Sequence, residues 1–597
     1  MALRQFEVSF SADFSVRRVG IGGGILKRSL QQPPALTAPD VRSARAPVAN
    51  PLLPWPALII AATAFAVIVP FFCKGNPSGH DFEFHVFSWM EVSSQWKQGI
   101  VYPRWVALAY WGYGEARFIF YPPVSWTLGA ALGSLLPWKI APGAYVWLAL
   151  SASGLSMFGL ARRWLGRRDA IFAAAVYAAN PYYIVIVYWR SAFAELLAGA
   201  LLPLLLLLVL RLKQEGSRII FLLTLVVAAA WLTNAPSAVM VNYSLALLLV
   251  VVALVDRSPL GLAYGAVAIV LGAALAAFYV LPAAYEERWV NIAEVLSPGV
   301  RPQDNFLLTV LDDPDHNRFN LLVSLVAIAE MIALAGVAWL SRRWRTQQRT
   351  LWWTLIAWAL AATLLMFSFT FVFWQHLPKL RFVQLPWRWL LCLNVAFALL
   401  VTMGTRRVLS RILICGVMLG VIVAVWHRVQ QPWWDTAGDI AEMRDAFDPE
   451  GSSYGAPGYE GTDEYVPAGA DPSEVNKDAP LVAAENDRRA RVHIFQWVPE
   501  SKTFTADVSR PENLVLRLFN YPAWKVTVNG EAVDAEGQET TGQMVIPVEA
   551  GENRAQVRFV RTWDRTAGGW ISVGTVVFLL GLLIWRRRRR PAAGAVA

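Results

Sequence analysis

The sequence predicts a mainly α-helical, polytopic membrane protein of about twelve transmembrane helices with a small β-sandwich on its extracytoplasmic side. Three observations predict it. Of 597 residues, 56% are hydrophobic and only 16% charged, with a mean hydropathy of +0.41, against about 25% charged in an ordinary soluble protein. Apolar runs of about 20 residues recur, the length at which a helix crosses the hydrocarbon core while satisfying its own backbone. Arginines gather where those runs end: Arg162, Arg163, Arg167 and Arg168; Arg342, Arg343 and Arg345; Arg406, Arg407 and Arg411; Arg586 to Arg590. Such clusters mark cytoplasmic loops, so the net charge of +10 calls for no nucleic acid.

In chain order, residues 1–54 mix Arg, Lys, Pro and Ala without periodicity and read as a disordered cytoplasmic tail. A first span over 55–73 leads outside. The next apolar stretch, YPPVSWTLGAALGSLLPW at 121–138, is short between its prolines. Counting it as a span would also put Arg162 to Arg168 outside and invert every later basic loop. Residues 74–141 are therefore expected to form one long external loop, with an amphipathic helix near 81–98 and a second helix half-embedded in the outer leaflet. Further spans are expected at about 142–161, 170–188, 194–212, 219–235, 237–255, 261–281, 319–340, 351–374, 387–404 and 412–428, closing a transmembrane domain over 55–428.

At 429–567 the composition turns to Asp, Glu, Gly and Pro, and its later part alternates in RVHIFQWV, KTFTADVS, NLVLRLFN, WKVTVNG, QMVIPV and RAQVRFVR. Short alternating runs between turn signals suggest a β-sandwich, with Phe519 and Trp524 in its core or on an acceptor platform. The segment 568–597 holds a last span and a basic tail, leaving both termini cytoplasmic. Cys73, Cys392 and Cys415 lie in or beside apolar runs, with no CxxC or Cys/His cluster for a structural metal.

Titratable chemistry gathers on the external face. GHDFEFHVFSWMEVSSQW, directly after the first span, holds His80, Asp81, Glu83 and His85; YWRSAFAELLAG holds Arg190 and Glu195; HLPKLRFVQLPWRWL holds Lys379, Arg381, Gln384 and Arg388. Acids in early loops and cations in late ones suit an anionic, lipid-linked substrate, with the carboxylates as base or metal ligands and the cations on phosphate. His80 and His85 are candidate ligands for a divalent cation, Mg or Mn. Pro386 suits the first turn of a helix, which places Arg388 where the helix dipole is positive; a shared phosphate explains a cation there. Each residue also has a plainer reading. Asp81 can cap the following helix, Glu195 can complement a helix dipole, and Lys379 and Arg381 can snorkel to headgroups.

The external Asp after the first span, the long first loop ending in YPPVSW and the acid-bearing second loop resemble the GT-C membrane glycosyltransferases. HDFEFHVFSWMEVSSQWKQGIVYPRW, YWRSAFAELLAG, QLPWRWL and FNYPAWKVTVNGE also resemble a bacterial membrane family labelled 6-pyruvoyl-tetrahydropterin synthase-related, akin to the YfhO-like proteins. Nothing in these residues supports pterin chemistry. The GT-C resemblance implies a bacterial inner-membrane enzyme. It would transfer a sugar with inversion, outside the cytoplasm, from a polyprenyl-phosphate donor to a glycan, lipid or protein acceptor. It implies Asp81 as general base and Glu195 as the second-loop acid; the loop chemistry itself puts Glu83, Arg190, Lys379, Arg381, Gln384 and Arg388 around the substrate. Asn234, in LTNAPSA, stands where related sequences often have His. A lipid or glycan transporter or flippase, and a non-catalytic assembly protein, are the rival classes; a transporter would place its polar groups near mid-membrane.

Overall fold

The computed structural model describes residues 55–428, 433–448, 457–487 and 489–588; the expected tail at 1–54 lies outside the described residues. Among the described residues nine helices are long and apolar enough to cross a membrane, from Trp55–Lys74 to Trp563–Trp585. Two bent helix pairs raise the number to eleven, and Arg218–Thr233 is a shorter apolar helix. The chain is a mainly helical, multi-pass membrane protein. Pro386–Gly404 lies at the centre of the bundle, with 89% of its span buried, while Val408–His427, with 11% buried, forms its outer face.

The two bent pairs depart from the straight spans expected at 261–281 and 351–374. Leu260–Leu275 meets Ala277–Trp289 at 76°, and Arg349–Leu365 meets Ser368–His376 at 95°. A helix broken in lipid must have its freed backbone groups paired elsewhere. At the first bend Phe278 N–H donates to Ser572 Oγ at 2.9 Å, from the last span; Gly568 permits that approach, because a Cβ there would lie 2.4 Å from the Ala277 carbonyl oxygen. At the second, Leu307 N–H donates to the Met366 carbonyl at 3.0 Å. Neither partner is legible in local hydropathy.

The long segment after the first span has the two helices expected of it, Phe82–Lys97 and Pro123–Leu135. They pack together where Gly129 meets the Trp89 indole. The later β region forms two antiparallel sheets. One orders Val482–Ala484, Glu512–Phe519, Gln543–Val548 and Glu536–Gly537. The other orders Arg491–Val498, Ser501–Val508, Gly551–Phe559, Trp524–Val528 and Glu531–Val533. Asn529 and Gly530, both at positive φ, turn the chain between the last two strands, as a two-residue hairpin requires. Phe519 and Trp524 are buried. Glu286, in the second helix of the first bent pair, accepts from Tyr521 between two of these strands and pairs with Arg565 of the last span at 2.7 Å.

Orientation rests on the basic loops and has a direct test. Cysteine placed at Arg163, an exposed side chain, should resist an impermeant thiol reagent applied outside intact cells. Rapid labelling there would invert the assignment.

Candidate active site

The site starts from a backbone contact. Residues 79–81 lie against the end of span Arg167–Arg190. His80 N–H donates to the Trp189 carbonyl at 3.1 Å and Asp81 N–H to the Arg190 carbonyl at 2.8 Å. Gly79 N–H donates to Ser191 Oγ at 3.0 Å. Glycine is needed there, since a Cβ at 79 would lie 2.7 Å from the Arg190 carbonyl carbon. The last turn of the span, Ile186–Arg190, is π-helical, and Ser191 follows at φ 50°. A π-turn carries an extra residue, which re-aims the side chains at its end.

Asp81 occupies the N-cap position of Phe82–Lys97, yet its carboxylate makes no cap hydrogen bond. It faces His80 Nδ1 at 3.0 Å and Arg190 Nη2 at 3.5 Å. Burial pushes its pKa up, but the His80 hydrogen bond and the Arg190 charge outweigh burial and hold the carboxyl below the usual carboxylate range. The same hydrogen bond, aided by the Asp81 charge, raises His80.

Glu195 holds the two arginines. Its Oε2 accepts from Arg190 Nη1 and from Arg388 Nε, the latter at 3.0 Å, while Oε1 accepts from Tyr182 Oη–H at 2.5 Å. Both oxygens are therefore engaged within the protein. Pro386 stands at the start of the turn Pro386–Trp389, as expected, and Arg388 reaches back from it. Its Nη1 donates to the Val383 carbonyl at 2.7 Å and to Gln384 Oε1 at 2.9 Å. The result is a charged chain, Asp81–Arg190–Glu195–Arg388, assembled from three separate turns, with Asp81 partly exposed and the other three buried.

These residues line a cavity of about 2190 Å³. Arg190 and Arg388, both held on Glu195 Oε2, line it along with Asp435, Asp439, Glu442, Glu460 and Glu464. Burial lifts Asp435 to about 6 and Glu464 to about 7. Leu321 and Leu325 of helix Pro314–Leu340 and Val421 and Val425 of Val408–Arg428 add apolar lining. Leu321 and Leu325 are each more than half exposed.

The family model described as 6-pyruvoyl-tetrahydropterin synthase related domain, membrane protein, matches residues 118–431, more than half of the chain. The chain belongs to this PTPS-related membrane family. The match takes in Arg190, Glu195 and Arg388 but begins after Asp81. Among solved structures, the PTPS-related chain is similar to ArnT from Cupriavidus metallidurans bound to undecaprenyl phosphate, with 16% identity and a TM-score of 0.38 over 66% of this chain and 68% of that one. It is also similar to the arabinofuranosyltransferase AftD from Mycobacteria (17% identity, TM-score 0.39, 63% of this chain, 27% of that one). A third is the Archaeoglobus fulgidus oligosaccharyltransferase in its apo form (12%, 0.39, 67% and 59%). At these scores the likenesses transfer no residue. No curated protein matches the chain.

Within the PTPS-related chain, the expected site residues divide. His80, Asp81, Arg190, Glu195, Gln384 and Arg388 converge, and exposed Glu83 lines the same cavity. Lys379 and Arg381 do not join them, contrary to the phosphate-binding role expected. Lys379 pairs with Glu287 at 3.0 Å on the surface, and Arg381, exposed, lies over the Phe382 ring. Neither lines the cavity. The His80–His85 metal pair is also not assembled. His80 is engaged with Asp81. His85 is buried among Phe84, Trp89, Tyr121 and Phe193, and burial lowers it to about 4. Among the described residues no group of three or more His, Cys, Asp or Glu is placed to hold a metal ion. Asn234 is a helix cap, accepting from Ser237 N–H at 2.9 Å.

Sequence reasoning missed Tyr182 and the acidic linker. Tyr182 sits within an apolar run, where a Tyr reads as core, and its hydroxyl role depends on Glu195. The linker acids at 435–464 were visible as composition, but nothing local pointed them at this cavity.

Proposed function

We propose that the protein is a membrane glycosyltransferase. It moves a sugar from a polyprenyl-phosphate donor to a glycan, lipid or protein acceptor on the extracytoplasmic face of the bacterial inner membrane, with inversion. The observation that carries this reading is a single cavity lined by the Asp81 carboxylate, by two arginines held on one glutamate and by apolar side chains of two candidate spans. A sugar hydroxyl is a poor nucleophile, so a carboxylate within hydrogen-bond reach takes its proton as the new bond forms. Asp81 has that role. The leaving polyprenyl phosphate departs with negative charge, which guanidinium groups stabilise through paired hydrogen bonds. Arg388 and Arg190 have that role, and Glu195 holds them in place. The prenyl tail lies along Leu321, Leu325 and Val421.

A transporter reading would draw on Glu330, a buried carboxyl within span Pro314–Leu340. Glu330 accepts from Asn394 Nδ2 at 3.2 Å and does not line the cavity, so it offers no path across the membrane.

The test is incubation of purified protein with a panel of radiolabelled polyprenyl-phosphate sugars, followed by separation of labelled products. Absence of both transfer and donor-phosphate binding across the panel would defeat the proposal. Arg388→Lys is expected to weaken donor-phosphate binding by roughly tenfold or more, the scale of a lost hydrogen bond to a charged group, because an ammonium cannot reproduce the planar fork. Titration of polyprenyl phosphate against both proteins in nanodiscs measures it; equal affinities would remove Arg388 from the phosphate site.

A further inference from the structure

We infer that Gln384 is a positioning residue that latches the external segment 290–300 over the cavity and aims Arg388 through the same amide. The part that concerns Arg388 rests on the glycosyltransferase reading above. The first observation is backbone strain. Gln384 has φ 63° and ψ −60°, and Leu385 N–H closes a three-residue turn onto the Val383 carbonyl at 2.7 Å. This positive-φ γ-turn is rare and strained. Glycine adopts such φ values without a side-chain clash, so a glutamine held there implies that its side chain is needed, and strain of this kind persists where the surroundings over-determine it.

The second observation is what that side chain does. Gln384 Oε1 accepts from Arg388 Nη1 at 2.9 Å, and Gln384 Nε2 donates to the Val295 carbonyl at 2.7 Å. One planar amide therefore joins the phosphate-side arginine to a segment that forms part of the cavity wall through Ile292, Glu294, Val295 and Val300. The near end of this segment is fastened to the linker that leads to the β sheets. Asn291 N–H donates to the Val466 carbonyl at 3.1 Å, and its side chain donates to the Ala470 carbonyl at 2.9 Å and accepts from Gly469 N–H at 2.8 Å. Its far end is fastened at Leu307 to the second bent span. Gln384 holds the middle from the cavity side. The Nε2 end of the amide holds the segment, while its Oε1 end is one of three acceptors, with Glu195 and the Val383 carbonyl, that direct the Arg388 guanidinium.

Two variants and two readouts test this. Gln384→Gly relieves the strained φ and deletes the amide. It should leave thermal stability equal or higher while segment 290–300 exchanges its amide hydrogens faster and polyprenyl-phosphate affinity falls by roughly tenfold, the scale of one hydrogen bond to a charged group. Gln384→Glu keeps an acceptor for Arg388 but loses the donor to Val295; it should loosen the segment while phosphate affinity stays within about threefold of the parent, a change well below that scale. That split is one a merely structural role would not produce. Unchanged exchange over 290–300 in Gln384→Gly would overturn the latch, and equal phosphate affinity in Gln384→Gly and the parent would overturn the aiming of Arg388. If the parent binds polyprenyl phosphate and shows the split but transfers no sugar, the latch stands and the transfer reading falls.

Discussion

Asp81→Asn is expected to lower sugar transfer by about 10²–10⁴, the usual contribution of a positioned general base, without impairing expression. The substitution is nearly isosteric. Asp81 makes no cap hydrogen bond to its helix, so that helix loses no cap. Arg190 keeps its second anion, Glu195, so no buried cation is left unpaired. A large kinetic loss on an intact fold is the signature expected of a base and not of a cap. Transfer rates measured on protein matched for amount in nanodiscs decide it, and near-parental activity would exclude Asp81 from the mechanism. The pH dependence has a defined sign. The Asp81 carboxyl is held below the usual carboxylate range, so it stays ionised through neutral and mildly acid pH. Activity owed to this group is lost only as pH falls through that depressed value.

Glu195→Gln is expected to destabilise the protein by about 3–5 kcal/mol, the cost of removing one partner from a buried ion pair. Here the carboxylate serves two guanidiniums at once, Arg190 and Arg388, and is itself nearly inaccessible. A glutamine keeps the shape and can still accept from Tyr182, but it leaves two buried cations with less compensation. The double variant Glu195→Gln, Arg388→Gln removes one of those cations and should recover part of the loss, because contacting residues are not additive. Thermal unfolding in detergent compares parent, single and double variants. A single variant as stable as the parent would show that Glu195 does not hold the arginines, and would reopen a direct catalytic role for its carboxylate.

Most of the spans, the two helices of the first long loop and the strands were legible because each depends on a local property. Hydropathy over about 20 residues decides insertion, since lipid offers the backbone no partner, and alternation with period two decides which strand face is buried. Pro386 opening its turn was legible for the same reason: its missing N–H is tolerated only there. The identity of the meeting charges was not local. Lys379, Arg381 and Arg388 lie within ten residues and look alike in sequence, yet only Arg388 reaches Glu195. What separates them is the strained turn at Gln384 and the contact with Val295, a residue from a segment distant in sequence. The same holds for Arg190, which is re-aimed by a π-turn packed against residues 79–81, and for His85, whose ring is enclosed by Phe193 and Tyr121 from outside its own helix. The sequence by itself determined that this chain threads a membrane many times and gathers acids and cations at the ends of its spans. Only the tertiary structure decided which of them share a cavity, because side-chain direction there is set by backbone turns that distant partners hold in place.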